Sequence, residues 1–241
     1  MPDPVNREAA PRVDGHWPWP RRCLGCGGAV CTPGRDLCAG CHARLPWLGT
    51  ACRACAMPLA ADGTAAPERL CAPCRSQPPP VQRTVAAFLY APPLDRWLPR
   101  LKFHRDLTAG RLLSQLMLDR LCTAERPDAV LPVPLHRARL RSRGYDQALE
   151  LARPLARALD LPLQCDLLQR IRATKPQSEL DGAARSRNLR GAFAFGATVP
   201  PAHVALVDDV MTTGATLRAA AATLRRAGVA RVDAWVCARV P

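Results

Sequence analysis

Hydrophobic and polar positions follow two different regimes along this chain, and the change falls near residue 80. Beyond it, short apolar runs alternate with longer amphipathic ones. Arg83 to Tyr90 alternates as a first strand, Asp95 to Arg105 reads as a helix despite Pro99, and Arg111 to Cys122 carries the 3.6-residue apolar period of a second helix. Ala129 to Pro134 reads as a strand that leaves its sheet at Pro-Val-Pro, where fixed φ angles and missing donors end pairing. A helix follows from Tyr145 to Leu159 with Asp146 at its N-cap, then a strand with its lead-in over Leu163 to Arg172, and a short hairpin arm over Ala192 to Phe195. Val204 to Val207 is a continuous apolar run of buried-strand type, Ala215 to Ala227 forms a helix, and Arg231 to Cys237 supplies the last strand. Strands alternating with helices predict an α/β fold built on a parallel sheet with flanking helices.

The link between Val207 and the following helix concentrates the chemistry. Two carboxylates, Asp208 and Asp209, end the apolar run, and Val210-Met211-Thr212-Thr213-Gly214-Ala215-Thr216 leads into the helix. Backbone N–H groups and hydroxyls at a helix N-terminus favour a phosphate. The carboxylates cannot share that anion, so ribose hydroxyls, or a Mg²⁺ held among them, suit their position. An isolated Asp-Asp reads as a solvated strand end; the strand, acidic pair, Thr-rich turn and helix arriving in this order favour a ligand site. No Gly-x-x-x-x-Gly-Lys-Ser/Thr or Gly-x-Gly-x-x-Gly string occurs, which disfavours a P-loop NTPase or a dinucleotide enzyme. A receiver domain would carry its acidic pair near the start of the domain, and here the pair stands near the end.

Before residue 80 the pattern belongs to cysteine. Cys23/Cys26, Cys38/Cys41, Cys52/Cys55 and Cys71/Cys74 are four Cys-x-x-Cys pairs in a segment with few large aliphatics. Such a turn aims two thiolates at one point and two turns complete a tetrahedral site, so the four pairs predict two structural zinc ions. Sequential pairing is the simpler topology, with a cross-braced arrangement equally permitted by spacing. An Fe–S cluster is the main alternative; disulfides and redox dithiols fit the setting less well. Cys31 is a spare thiol that could replace Cys26 in an irregular knuckle, and His42 is a possible but unneeded ligand. The expected organisation is a flexible lead-in over 1–22, a double zinc ribbon over 23–77, a stiff hinge at Pro78-Pro79-Pro80 and an α/β domain over 81–241.

Charge sharpens this picture. The formal net charge is +14, mostly arginine and mostly after residue 80, and only Lys102 and Lys175 are lysines. Arg137, Arg139, Arg141 and Arg143 form with His136 a cationic loop over Leu135 to Arg143, placed after a strand where parallel sheets bind ligands, and able to neutralise a pyrophosphate. Ala173 to Arg190 is polar and basic without apolar periodicity and reads as a mobile functional loop, with Arg185, Arg187 and Arg190 placed to close over a phosphorylated ligand. Cys122, Cys165 and Cys237 stand in apolar surroundings and read as core thiols. Neither a signal peptide nor an apolar span of membrane length is visible, which predicts a cytoplasmic protein without an integral membrane segment.

The string from Val207 to Thr216 resembles the phosphoribosyl pyrophosphate (PRPP) motif of type I phosphoribosyltransferases. That resemblance implies that Asp208 and Asp209 are the catalytic acids on the ribose 2′- and 3′-hydroxyls, and that Thr212 to Thr216 cradle the 5′-phosphate. Further motifs occur in order: the Cys-rich double ribbon, Leu101-Lys102-Phe103, Pro132-Val133-Pro134-Leu135-His136, Arg143-Gly144-Tyr145-Asp146-Gln147, Thr174-Lys175-Pro176-Gln177 and Arg187 to Phe193. Together they resemble the ComF family of competence proteins. The family pattern implies PRPP contacts by Lys102, Pro134, Leu135, Arg139, Arg143 and Val210 to Thr216, with Mg²⁺ accompanying PRPP. It also implies a role in DNA uptake on the cytoplasmic side, in contact with single-stranded DNA and other competence proteins and peripheral to the inner membrane. The alternative is an active transferase on a small-molecule acceptor with no DNA role. The chain is also similar to amidophosphoribosyltransferases but has a zinc ribbon in place of their glutaminase half, so glutamine-dependent amido transfer is not expected. Asp146 departs from the usual family Asn, and would either weaken anion binding or cap its helix. Sparse aromatics favour electrostatic, salt-sensitive DNA contacts over base stacking.

Overall fold

A computed structural model describes residues 22–31, 34–60, 69–173, 189, 191–196 and 199–241. Two compact units result, Met1–His42 and Ala43–Pro241. In the first, Cys23, Cys26, Cys38 and Cys41 draw together around a knuckle closed by the bonds from Cys23 N–H to the Gly28 carbonyl and Gly27 N–H to the Cys23 carbonyl. Cys41 belongs to the short helix α1, Ala39–Ala43. Gly27 takes a φ of 76°, a left-handed conformation that suits glycine.

The second unit is built on a parallel sheet. Its strands are β1 (Arg83–Leu89), β2 (Ala129–Pro132), β5 (His203–Met211) and β6 (Arg231–Arg239), in the order β1-β6-β5-β2. A two-stranded antiparallel pair, β3 (Leu168–Arg170) with β4 (Phe193–Phe195), stands apart from that sheet, as the hairpin reading anticipated. The helices are α2 (Ala72–Ser76), α3 (Leu94–Phe103), α4 (Leu107–Leu121), α5 (Arg137–Arg143), α6 (Gln147–Ala158) and α7 (Ala215–Arg226). No described helix is long and apolar enough to cross a membrane.

Strand periodicity explains how both faces of the sheet are covered. On one face Leu131, Val204, Leu206, Val232, Ala234 and Val236 share a buried cluster with Leu217, Ala220, Ala221 and Leu224 of α7. Residues of opposite parity, among them Val130, Ala205, Val207 and Trp235, point to the other face and are equally buried. There α4 contacts β1 and β6, and α6 contacts β5 and β2. Near-continuous burial along β5 and β6 is what a parallel sheet enclosed on both sides requires.

The second set of cysteines is part of this core. Cys52, Cys55 and Cys74 are buried in the same cluster as the sheet residues. Thr84 of β1 donates its backbone N–H to the Arg53 carbonyl at 2.7 Å and its hydroxyl to the Ala54 carbonyl at 2.7 Å, and Leu48 N–H donates to the Ala87 carbonyl. Backbone and side-chain bonds therefore join residues 46–55 to the first strand across the three prolines.

Three expectations are corrected. The strand carrying the acidic pair does not end at Val207; it runs on to Met211, because Val236, Ala238 and Arg239 of β6 continue to offer ladder partners. Residues 137–143 are not a loop but helix α5: arginine, alanine and leucine are strong helix formers, His136 caps the start by accepting from Ala138 N–H, and Gly144 ends it at a φ of 85°. Cys122 and Cys165 are exposed rather than core, the first at the C-cap of α4 and the second ahead of β3, so only Cys237 is the buried thiol expected. The polar stretch 174–188, with Lys175, Arg185 and Arg187, and Arg190 lie outside the described residues.

Trp235 sits in register with Val85 and Val207 on an interior strand and is 2 % exposed. Trp235→Ala is expected to cost about 3–5 kcal/mol, read as a lower denaturation midpoint in urea.

Candidate functional site

A cavity of about 580 Å³ opens beyond the carboxyl ends of β5 and β2. Asp208, Asp209 and Val210 enter it from β5, Val133 and Leu135 from the chain leaving β2, Lys102 and Phe103 from the end of α3, and Thr216 from α7. Arg139, Ser142 and Arg143 enter from α5 at positions i, i+3 and i+4, the spacing that puts three side chains on one helical face. Arg137 and Arg141 are not among the lining residues. Folding the cationic stretch into a helix therefore sorts its arginines, aiming two of four at the cavity.

Consecutive strand residues point to opposite sides of a sheet, yet both acids reach one cavity because it lies at the strand's end. Each carboxylate is anchored to the next peptide: Asp208 Oδ1 accepts from Asp209 N–H at 2.9 Å, and Asp209 Oδ1 accepts from Val210 N–H at 2.8 Å. Asp209 is 4 % exposed, and its Oδ2 has no hydrogen-bond donor but lies 3.4 Å from Lys102 Nζ. One of the chain's only two lysines thus stands opposite the buried acid, a compact point charge where arginine's fork would be bulkier. Burial first, and the neighbouring Asp209 carboxylate second, push the Asp208 carboxyl well above the ordinary range, against the opposing pull of Lys102.

After Met211, residues 212–214 turn the chain into α7. Gly214 is the N-cap at a φ of 72°, a left-handed angle that demands glycine, and Met211 Cε lies 2.4 Å from where a Cβ would stand. Thr213 Oγ1 accepts from Ala215 N–H at 3.4 Å. Of the residues expected around the ligand, Lys102, Leu135, Arg139, Arg143, Asp208, Asp209, Val210 and Thr216 line the cavity together. Pro134, Met211, Thr212, Thr213, Gly214 and Ala215 do not line it; Met211 and Ala215 are buried beneath the turn.

Asp146 resolves as a structural acid. One oxygen accepts from Ala148 and Leu149 N–H, capping α6, and the other accepts from Leu135 N–H at 3.1 Å. A carboxylate can serve both ends because each oxygen is an acceptor, whereas an amide would turn a donor toward one of them. Burial pushes its carboxyl above the ordinary range, while those three N–H bonds pull it down.

Four lining residues escaped the sequence reading as ligand groups. Arg170 of β3 is 9 % exposed, with its guanidinium 5.6 Å from the Phe193 ring centroid. Burial, then Arg139, disfavours its cation, and Asp208 favours it. Nothing in sequence singles it out, since it is one arginine in a strand of three residues. Gln147 is buried and accepts from Arg143 Nη1 at 2.5 Å, while Phe103 is 66 % exposed beneath the Arg143 guanidinium. Arg105, with a φ of 54°, approaches Gly144 from the bend between α3 and α4. Chemically, the cavity sets an acidic pair suited to hydroxyls and a divalent cation beside four arginines and a lysine suited to a polyanion.

The eight paired cysteines gather into two sets. Cys23, Cys26, Cys38 and Cys41 form one set and Cys52, Cys55, Cys71 and Cys74 another, each with its sulfurs within 4.8 Å of one another. Pairing is sequential. Cys26 and Cys38 sulfurs lie 3.9 Å apart and Cys55 and Cys71 sulfurs 3.6 Å apart, near the roughly 3.8 Å that a tetrahedron of 2.3 Å Zn–S bonds requires. Both sets are thus compatible with structural zinc. Cys31 and His42 belong to neither. Although burial raises it, N–H groups of Cys38, Cys26 and Gly25 lower the Cys23 thiol to about 6, and those of Cys71, Cys55 and Ala54 lower Cys52 to about 7.

An acid whose pKa rises on folding binds its proton more tightly in the native state, so stability falls as pH climbs from the ordinary carboxylate range through the raised value. Asp208→Asn keeps the Oδ1 acceptor and removes the charge. It is expected to raise the melting temperature of the ligand-free protein at pH 7–8, by about 2–4 °C per kcal/mol relieved. The gain should shrink toward pH 4, and scanning calorimetry across that range checks it.

Known proteins resemble this chain over most of its length. The phosphoribosyl transferase domain family matches residues 146–241. The DNA utilization protein YhgH of Escherichia coli K12 is 36 % identical over 209 residues, which span 84 % of this chain and 90 % of that protein. Its Salmonella typhimurium counterpart is 34 % identical over the same shares. Competence protein F of Haemophilus influenzae is 33 % identical over 230 residues, or 90 % of this chain and 96 % of that one. Matched over most of its length, from the cysteine sets through the phosphoribosyl transferase domain, the chain belongs to the ComF family.

Proposed function

We propose that this protein binds PRPP with Mg²⁺ in the cavity beyond β5 and β2 and acts on the cytoplasmic side in DNA uptake, in contact with single-stranded DNA. The observation that carries the reading is the convergence of Asp208 and Asp209 with Arg139, Arg143 and Lys102 on one cavity of about 580 Å³ at a strand–turn–helix junction. Asp208 and Asp209 hold the ribose hydroxyls, the 212–216 turn takes the 5′-phosphate, and the arginines of α5, with Arg170, face the pyrophosphate. Mg²⁺ suits this acidic pair, where the buried Asp209 Oδ2 has no hydrogen-bond donor, and it would supply charge neutralisation to the departing pyrophosphate. The residues themselves bind, orient and keep Lys102 against Asp209. Two structural zinc ions fill the Cys₄ sets and supply folding energy.

The DNA role is supported by the names of the relatives, DNA utilization protein and competence protein, and by the net charge of +14. Contacts of this kind are dominated by phosphate and weaken steeply with salt. A transferase acting on a planar acceptor is the second reading, and the exposed ring of Phe103 in the cavity wall favours it.

Titration of PRPP with Mg²⁺ by calorimetry should give saturable heat for the native chain and none for Asp208→Asn/Asp209→Asn with its fold retained; undiminished affinity in the double variant removes the assignment. Affinity for a single-stranded oligonucleotide should fall at least tenfold between 50 and 200 mM salt, as expected for several phosphate contacts, and salt-independent binding would refute the electrostatic mode.

A further inference from the structure

Arg239, the last residue of β6, is 4 % exposed and lies between the second cysteine set and the end of β5. Its Nε donates to the carbonyl of Cys55 at 2.9 Å, and its Nη1 donates to the carbonyl of Met211 at 3.2 Å and to that of Val240. Nη2 lies 3.9 Å from Met57 Sδ. Cys55 is a member of the second Cys₄ set, and Met211 is the residue from which the phosphate turn departs.

A buried guanidinium is costly unless a counter-charge faces it. Among the described residues no carboxylate forms an ion pair with Arg239. Three backbone carbonyls, those of Cys55, Met211 and Val240, take its donors instead. One of them belongs to a residue of the second Cys₄ set, whose backbone is fixed in place when the four sulfurs close on a metal. The position of the guanidinium therefore depends on the geometry of that set.

Met211 in turn works as a strut. Its carbonyl is held by Arg239 and by Val240 N–H at 3.0 Å, while its side chain presses so closely beneath Gly214 that a Cβ there would clash with it. Displacing the guanidinium would move the carbonyl, and the turn with it.

We infer that Arg239 is a positioning residue that couples the metal state of Cys52, Cys55, Cys71 and Cys74 to the phosphate turn, so that the second Cys₄ set governs affinity for a sugar 5′-phosphate. The first set, Cys23 to Cys41, belongs to the smaller unit and serves as the internal control. This inference rests on the PRPP reading of the cavity.

The test uses the full zinc-loaded chain and three probes in calorimetry: PRPP, ribose 5-phosphate and inorganic pyrophosphate, each with Mg²⁺. Arg239→Met is expected to weaken ribose 5-phosphate and PRPP by about tenfold or more while leaving pyrophosphate, which meets the α5 arginines, unchanged; Arg239→Lys should recover part of the loss. Equal losses for all three probes, or none in a folded Arg239→Met protein, overturn the coupling. Cys71→His provides a second arm that does not touch the arginine. It keeps four ligands and two zinc ions per chain by metal analysis but replaces a Zn–S bond of about 2.3 Å by a Zn–N bond of about 2.0–2.1 Å on a bulkier ring, which shifts the loop that carries the Cys55 carbonyl, and should reproduce a smaller loss selective for the 5′-phosphate, whereas Cys38→His should not. Wild-type affinity in Cys71→His, or a matching loss in Cys38→His, overturns the inference. A wild-type chain that binds neither PRPP nor ribose 5-phosphate overturns the cavity reading, and the coupling with it.

Discussion

Two carboxylates on consecutive residues at the end of a buried strand repel one another and resist burial, and the surroundings of Asp208 and Asp209 are arranged around that constraint. Each acid is tied to the next backbone N–H, Lys102 is brought from α3 to face Asp209, and arginines from α5 and β3 are turned inward nearby. Even so the balance is incomplete, as the upward push on the Asp208 carboxyl records. A site held in this state favours a ligand that brings hydroxyl donors and a cation to the acids and anionic groups to the arginines. Strain of this type is tolerated where binding relieves it, and the deep ladder of β5 with β6 on both sides of the pair supplies the rigidity to hold it.

The same economy of charge extends to the far side of the turn. Arg239 closes β6 beneath the 212–214 turn with backbone carbonyls, not a carboxylate, as its partners. Embedding Cys52, Cys55 and Cys74 in the core of the sheet unit gives that cluster a structural reach that a free-standing ribbon lacks. The Cys23 to Cys41 set, in the smaller unit, is built by its own knuckle and the bond from Cys38 N–H to Cys23 Sγ. Two sets with the same ligand spacing therefore have different neighbours and different consequences for the rest of the chain.

Much of the fold and part of the site were readable without coordinates. Cys-x-x-Cys spacing is a local geometric instruction, and it specified both metal sets. Likewise, an apolar run, an acidic pair, a Thr-Thr-Gly turn and a helix in sequence specify a strand–turn–helix junction, because each element is decided by its own residues. Asp146 as an N-cap was legible for the same reason. The errors fall where long-range partners decide. β5 outran its apolar run because β6 lay alongside, and the α5 segment looked like a loop because alternating arginines mask a helical stretch whose periodicity is polar. Cys122 and Cys165 were misjudged because apolar neighbours in sequence do not make a buried position in space.

By itself, the sequence determined the two cysteine sets, the strand–turn–helix junction that carries the acidic pair, and that the sheet would be parallel with flanking helices. Only the tertiary structure decided which groups meet. It chose two of the four α5 arginines, placed Lys102 against Asp209, drew Arg170 into the cavity and set Arg239 between the second cysteine set and Met211. The physical reason is that turn, capping and periodicity signals act between near neighbours in the chain, whereas charges and strand ladders find their partners through space, across contacts that only the packed sheet and its helices bring within reach.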